Sequence, residues 1–107
     1  MTHDEGILQR VRATAAKGIL FLPHAIRAMA RPTPIISRSE VDAVVAQGDV
    51  IEHYPEDVGG HSRLMMAAPE GRVVHVVCSP KGDYLAVITV YLPDPACWSS
   101  DSRERKP

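Results

Sequence analysis

The chain has 107 residues, of which 45% are hydrophobic and 5% aromatic, and its 12 basic and 13 acidic residues give a formal charge of −1. A chain of this length forms one domain with a modest aliphatic core, because a divided core would be too small on either side. The near-neutral charge argues against attraction of nucleic acid by the whole surface, so a nucleic-acid enzyme of this composition needs locally clustered arginines.

Membrane, secretion and cysteine patterns point to a cytoplasmic protein. No apolar stretch approaches the roughly 18 residues that a membrane span needs. The start of the chain, Met1-Thr2-His3-Asp4-Glu5, lacks the basic residues of a signal peptide. Cys78 and Cys97 form no CxxC pair, which predicts two reduced, structural cysteines in a reducing compartment.

The first third of the chain predicts a helix followed by a short apolar run. Thr2 and Glu5 have the spacing of a capping box, which starts a helix, and Gly18 is predicted to end it in a left-handed conformation. The run from Ile19 to Leu22 fits either an edge strand or a linker.

Two more helices are predicted before the pattern changes. One begins near Pro23, stops before Pro32, and carries a cationic face. The next is capped by Ser37, with Glu40 at its third position, and is closed by Gly48. The cationic face consists of His24, Arg27 and Arg31, and the buried stripe of the capped helix consists of Val41, Val44 and Val45.

From residue 49 the apolar residues alternate as in strands, which we predict at about 49–54, 63–68, 72–79 and 84–92. Short turns between the last three strands force antiparallel hairpins. The predicted fold is therefore α+β: two or three helices packed on one face of a four-stranded, mainly antiparallel β-meander. Residues 19–98 form the expected core of a single domain, and residues 99–107 a flexible tail.

Several residue types required for metal-independent RNA cleavage occur in this pattern. Such an enzyme needs a base for the ribose 2′-hydroxyl, an acid for the leaving oxygen, and cations for the phosphate. The histidines and cysteines match no established zinc spacing, and no nucleotide-binding motif is present, so we expect no metal and no cofactor. The candidate catalytic residues are His24, His75, Thr89 and Tyr91, and the candidate phosphate-binding residues are Arg27, Arg31, Arg63 and Arg103.

Five of these residues also have a purely structural interpretation; His24, at a helix start, fits a contact with backbone groups. His75 lies in a valine run and fits a buried, hydrogen-bonded histidine equally well. Arg27 and Arg31 fit a solvated helix face or partners for Glu40 and Glu52. Tyr91 fits a sheet aromatic with a wet hydroxyl.

A series of short matches in order along the chain resembles domain-of-unknown-function family 4258. The resemblance extends roughly from Ile19 to Arg105. The matching segments are Pro23-His24-Ala25 with Arg27, Met29 and Arg31; Ile36-Ser37; Glu40-Val41; Gly48-Asp49-Val50-Ile51-Glu52 with Tyr54-Pro55; His75-Val76-Val77; Ile88-Thr89-Val90-Tyr91 with Pro93-Asp94; and Trp98 with Arg103.

The resemblance implies a function as well as a fold. The family is similar to compact ribonuclease toxins of the RelE and MqsR type, and its members often accompany a zinc-finger antitoxin. It therefore implies a RelE- or barnase-like fold, RNA as substrate and an antitoxin protein as partner. The expected function is a toxin-like endoribonuclease or a degenerate relative of one; the alternative is a non-catalytic protein-interaction module.

Overall fold

The computed structural model describes residues 3–32, 35–55 and 61–107. None of the helices in these ranges is long and apolar enough to cross a membrane. Three helices are followed by most of the sheet: α1 (His3–Lys17), β1 (Ile19–Phe21), α2 (Pro23–Met29), α3 (Arg38–Gln47), β2 (Asp49–Tyr54), β3 (Ser62–Ala67), β4 (Val74–Pro80) and β5 (Leu85–Tyr91).

The α+β class is confirmed, but the sheet has five strands and is mixed. Its order is β1-β5-β4-β3-β2, and β1 runs parallel to β5 whereas the other pairs are antiparallel. The predicted number of four strands was therefore wrong, whereas three of the four strand pairings are antiparallel as expected and Ile19–Phe21 is an edge strand, one of its two predicted alternatives. Leu85 N donates to Gly18 O at 2.9 Å and Leu22 N to Val87 O at 3.0 Å, which aligns β1 with β5. A three-residue strand is too short to show a period, and its pairing joins distant parts of the chain.

The helices cover one face of the sheet, where the aliphatic core lies. Ile7 and Val11 of α1, Ala25 and Ala28 of α2, and the predicted valine stripe of α3 pack against inward-facing strand residues. Successive strand residues point to opposite faces, so every second residue of β4 enters this core. The strand contributions are Met65, Val74, Val76, Cys78, Leu85, Val87 and Val90.

Helix α3 has the ends predicted from the sequence. Glu40 N donates to Ser37 Oγ at 3.2 Å, and Ser37 N donates to Glu40 Oε1 at 3.0 Å, which completes the capping box. Gly48 closes the helix where it touches β3. A Cβ there would lie 2.5 Å from Val44 O and 2.6 Å from Met66 O, so only glycine fits without backbone movement.

The other helix ends are less completely predicted. Helix α2 begins at Pro23, as expected. The capping box at Thr2 and Glu5 lies outside the residues whose side chains are described. Helix α1 ends before Gly18, but the left-handed conformation predicted there is wrong, since Gly71 (φ 89°) is the glycine with a positive φ among the described residues.

The opposite face of the sheet is covered by the end of the chain, which we call the C-terminal strap (residues 98–105). The strap contacts His75 on β4 and Asp49 on β2, and the side chain of Met66 lies between these two in the sheet register. Met66 is buried accordingly. The segment for which flexibility is predicted thus forms a second layer on the sheet.

Candidate functional site

Polar and aromatic side chains converge on the strap-covered face of the sheet. His75 lies between the core residues Val74 and Val76, so its side chain points away from the helices. Tyr91 lies directly opposite His75 on the neighbouring strand, with ring centroids 5.2 Å apart. Glu52 occupies the same face on β2, two strands away from His75.

Glu52 is the centre of a hydrogen-bonded network. The Arg105 guanidinium binds the carboxylate through two nitrogens, with Nε 2.9 Å from Oε2 and Nη2 3.1 Å from Oε1. The Tyr54 hydroxyl donates to Oε1. Burial alone would raise the pKa of Glu52, but the hydrogen bonds from Arg105 and Tyr54 outweigh it and lower the pKa below its ordinary value. The carboxylate is therefore ionised at neutral pH.

The same network shifts the pKa values of Tyr54 and Arg105. Burial, followed by the hydrogen bond to Glu52, raises the pKa of Tyr54 to about 12. Hydrogen bonding to Glu52 and then to Tyr54 raises the pKa of Arg105 further above its ordinary value. Both groups consequently keep their protons, so at neutral pH the network consists of one anion, one cation and one neutral phenol.

His75 is fully buried beneath the strap. Its Nε2 lies 2.9 Å from Ser102 O, an acceptor, so Nε2 carries the hydrogen and donates it. Its Nδ1 is buried without a partner, and the Trp98 ring packs edge-on at 4.5 Å. Burial lowers the pKa of His75, despite opposing contributions from Ser102 and Glu52. The imidazole is neutral in this conformation and presents an unused basic nitrogen.

The strap is held by its own turn and by surface ion pairs. Ser99 N donates to Glu104 O at 2.8 Å, and Ser102 has a φ of 61° where the strap reverses. The Arg105 guanidinium stacks over Trp98, 4.7 Å from the ring centroid. Arg103 binds Asp49 at 2.7 Å. The strap thus occupies the space above the Glu52 network and His75 at the same time.

The structure brings together only part of the predicted site. His75 and Tyr91 adjoin, and Thr89 pairs with Val77 on the same face. His24 and Arg27 are exposed on α2, whose buried residues pack into the helix-covered core, so they lie on the other side of the sheet from His75. The α2 cations and the His75 group therefore do not form one pocket. The sequence predicts one pocket that joins His24, Arg27 and Arg31 to His75 or to Thr89 and Tyr91. His24 and Arg27 do not reach His75, whereas Arg31 and Tyr91 line the same cavity.

The other predicted arginines are divided between three places. Arg31 and Tyr91 line one small cavity at the end of β5. Arg103 belongs to the strap and is paired with Asp49. Arg63 is buried on the helix-covered face, because it pairs in register with Cys78 of the core. The carboxylates suggested as partners for Arg27 and Arg31 bind other arginines, Glu40 to Arg72 at 2.8 Å and Glu52 to Arg105.

The sequence suggested Glu52 only as an ion-pair partner and Arg105 only as one of several possible phosphate contacts, and it gave neither them nor Tyr54 a catalytic role. The alternation of β2 places Glu52 and Tyr54 on one face, so that pattern alone could have identified them. Arg105 comes from the tail, and no local pattern places a tail residue over a particular strand. Within the described ranges no three potential ligands converge to hold a metal ion, and both cysteines are free.

Comparison with known protein families identifies one family for most of the chain. The model of the domain of unknown function (DUF4258) matches residues 21–92, more than half of the chain. The chain belongs to this family. No curated protein and no solved structure matches the chain. The DUF4258 segment contains the site residues of the strands, whereas Trp98, Ser102 and Arg105 of the strap lie beyond its matched end.

Proposed function

We propose that this DUF4258 protein is a metal-independent endoribonuclease of the toxin-like class whose active site is the strap-covered face of the sheet. The observation that carries the proposal is the convergence of Glu52, Arg105 and His75 on one face. A carboxylate, a guanidinium and an imidazole together supply the proton transfers and the phosphate contact that RNA cleavage needs. RNA is the proposed substrate, and an antitoxin protein is the proposed partner.

In the proposed reaction Glu52 acts as general base and His75 as general acid. Glu52 takes the proton of the ribose 2′-hydroxyl, and the 2′-oxygen attacks phosphorus as the bond to the 5′-oxygen breaks. The protonated His75 imidazole gives its proton to that leaving oxygen, so the products are a 2′,3′-cyclic phosphate and a 5′-hydroxyl. Arg105 stabilises the negative charge that develops on the phosphate oxygens. Tyr91, beside His75, positions the imidazole.

The described conformation fits a resting state of such an enzyme. Glu52 and Arg105 neutralise each other, and His75 is sealed by Trp98 and Ser102. Substrate access would require the strap to lift from His75. An RNA phosphate would then compete with Glu52 for Arg105 and free the carboxylate as base. Loss of burial would return the pKa of His75 toward its ordinary value, where it can act as an acid.

A second candidate function is the non-catalytic protein-interaction module. The complete burial of His75 and the near-neutral charge favour it, because a permanently closed strap leaves no reactive group accessible. In that case the Glu52 network only fastens the strap. The two functions predict different consequences of releasing the strap.

The deciding experiment compares RNA cleavage by the full chain and by a strap-release variant, Trp98→Ala. Endoribonuclease activity predicts that Trp98→Ala cleaves a labelled single-stranded RNA at least as fast as the wild type, leaving 2′,3′-cyclic phosphate ends. Glu52→Gln and His75→Gln, each added to Trp98→Ala, should lower the rate by about 10²-fold or more. Induced expression of the same variants tests whether cleavage stops growth.

Two controls separate the site from its surroundings. Arg38→Gln removes an exposed arginine of α3 and should leave the rate unchanged. His24→Ala tests the helix face suggested by the sequence and should also be without effect. Absence of cleavage by both the wild type and Trp98→Ala, with both proteins folded, would favour the interaction module.

A further inference from the structure

A cavity with a mainly apolar surface lies on the helix-covered side of the sheet, away from the strap, and contains one buried arginine. It is lined by Ile7, His53, Pro55, His61, Ser62 and Arg63. In the register Arg63 stands between His53 of β2 and Cys78 of β4, and Cys78 belongs to the helix-covered core. The cavity is therefore separate from the Glu52 and His75 face, and its ligand does not depend on the function proposed for that face.

The unusual feature of this cavity is the burial of the charged Arg63 side chain. Its residue surface is only 7% exposed, and its Nε is buried without a hydrogen-bond partner. A guanidinium removed from water is costly unless an anion or acceptors replace the lost solvation. None of the ion pairs among the described residues includes Arg63.

Among the described residues, the neighbours of Arg63 supply no negative charge. Burial raises the pKa of the Cys78 thiol to about 12, so the side chain opposite Arg63 is neutral at physiological pH. Burial lowers the pKa of Arg63 itself; the nearby Cys78 opposes this shift, and the charge of Arg10 adds to it. Within the described part of the chain, the surroundings of Arg63 thus contain a second cation and no compensating carboxylate.

We propose that this cavity binds a phosphate group through the guanidinium of Arg63. The planar fork of an arginine matches two oxygens of a tetrahedral phosphate and gives charge-assisted hydrogen bonds. A bound phosphate would offset the charges of Arg63 and Arg10 together. The group could belong to free phosphate or a phosphomonoester, or to the phosphodiester backbone of a nucleic acid.

Thermal unfolding of the full chain tests the proposal with inorganic phosphate as the probe, against chloride buffers of equal ionic strength. Each tenfold increase of free phosphate above its dissociation constant should raise the Tm of the wild type by about 6 °C. Arg63→Met, which keeps the apolar stem, should lose this response. Arg38→Met, at an exposed arginine, should keep it. Isothermal titration of the wild type should show one site per chain.

The stability of Arg63→Met without phosphate gives an independent readout. Removal of an unpaired buried charge should leave this variant at least as stable as the wild type in chloride, so the order of the two Tm values should reverse in phosphate. Marked destabilisation in chloride would overturn the proposal, because it would mean that Arg63 is already satisfied within the chain. Absence of a phosphate effect on the wild type would overturn it equally.

Two further measurements complete the test. Arg63→Lys keeps the charge without the fork and should show a weaker phosphate response than the wild type. A single-stranded DNA oligonucleotide without terminal phosphates distinguishes the sources. Competition with inorganic phosphate would assign the site to a nucleic-acid backbone, and its absence would assign it to free phosphate or a phosphomonoester.

Discussion

The two faces of the sheet are held by different forces. On the helix-covered face, aliphatic side chains such as Val76 and Leu85 are fully buried and pack against three helices. On the strap-covered face, the contacts are the imidazole of His75, the Trp98 ring, and ion pairs from Arg103 and Arg105. The first depends on apolar area removed from water, and the second on charge, protonation and ring geometry.

This contrast indicates where the molecule can change without unfolding. Apolar packing is insensitive to salt and pH, and losing it affects the cooperative stability of the whole domain. Exposed ion pairs contribute little and are weakened by salt, so the layer that they fasten can open locally. The strap-covered face is therefore the place where a site can be hidden and exposed.

The largest expected effect comes from a cavity in the helix-covered core. Leu85→Ala should lower the free energy of unfolding by about 3 kcal/mol, because it removes fully buried methyl groups at the start of β5. Leu20→Ala, at a position 49% exposed on the edge strand β1, is the matched control and should cost below about 1 kcal/mol. Urea unfolding of both variants measures the difference. Equal losses would contradict the assignment of the main core to this face.

Acid should weaken the strap-covered face before it weakens the ion pair at the start of α3. Burial lowers the pKa of His75, so the folded protein binds this proton less readily than the unfolded chain. The contribution of His75 to the free energy of unfolding is therefore fully present above the ordinary pKa of 6.5 and is lost as the pH falls below that value. Hydrogen bonding to Arg72 lowers the pKa of Glu40 to about 2, so that pair loses its contribution only between about pH 4.5 and 2.

The fluorescence of Trp98, the only tryptophan, can report this acid effect directly. Between pH 7.5 and 5.5 the unfolding free energy of the wild type should fall and Trp98 should become more accessible to a quencher; these two pH values are about one unit on either side of the ordinary histidine pKa. His75→Phe should flatten the dependence. A pH profile unchanged by this substitution would show that another group titrates.

The N-terminal cap of α3 contributes less to the stability of the helix-covered face than the buried core does. Ser37→Ala removes the acceptor for Glu40 N and should lower stability by about 1 kcal/mol. Ser39→Ala is the control, because it keeps both hydrogen bonds of the capping box and removes only the 3.1 Å contact of its own hydroxyl with Ser37 Oγ. Melting curves of the two variants should separate, and Trp98 accessibility should not change in either. An unchanged melting curve for Ser37→Ala would remove the cap from the account of this face.

Local patterns predicted most of the helix-covered face. The cap at Ser37, the proline start at Pro23 and the valine stripe of α3 are encoded within a few residues, and each was found where expected. The pairing of β1 with β5 was missed because it depends on residues more than 60 positions apart. Neither propensity nor period in a three-residue run distinguishes a strand from a linker.

The candidate site was harder to predict, because its parts come from distant segments. Alternation placed Thr89 and Tyr91 on one face, and the hairpin register then brought Tyr91 opposite His75. The spacing of His24 and Arg27 showed that they share one face of α2, but not where that face points. Its direction is set by Ala25 and Ala28, which are the buried residues of this helix. Arg105 reaches Glu52 across 53 positions of sequence, a contact that depends on the path of the strap.

The smallest expected effect on stability comes from the ion pairs of the strap. Arg105→Gln should change the unfolding free energy by less than about 1 kcal/mol, because the Arg105 side chain is 58% exposed in its pair with Glu52. Access of a quencher to Trp98 should nevertheless increase, since the guanidinium stacked over the indole is lost. Salt raised from about 0.05 to about 1 M should act on the wild type in the same direction, through screening.

Arg38→Gln removes a comparably exposed pair with Asp42 on α3 and should leave Trp98 unaffected. Equal quenching in wild type and Arg105→Gln would mean that ring packing and the Ser102 hydrogen bond hold the strap without its charges, so that only acid, and not salt or a competing phosphate, could open this face.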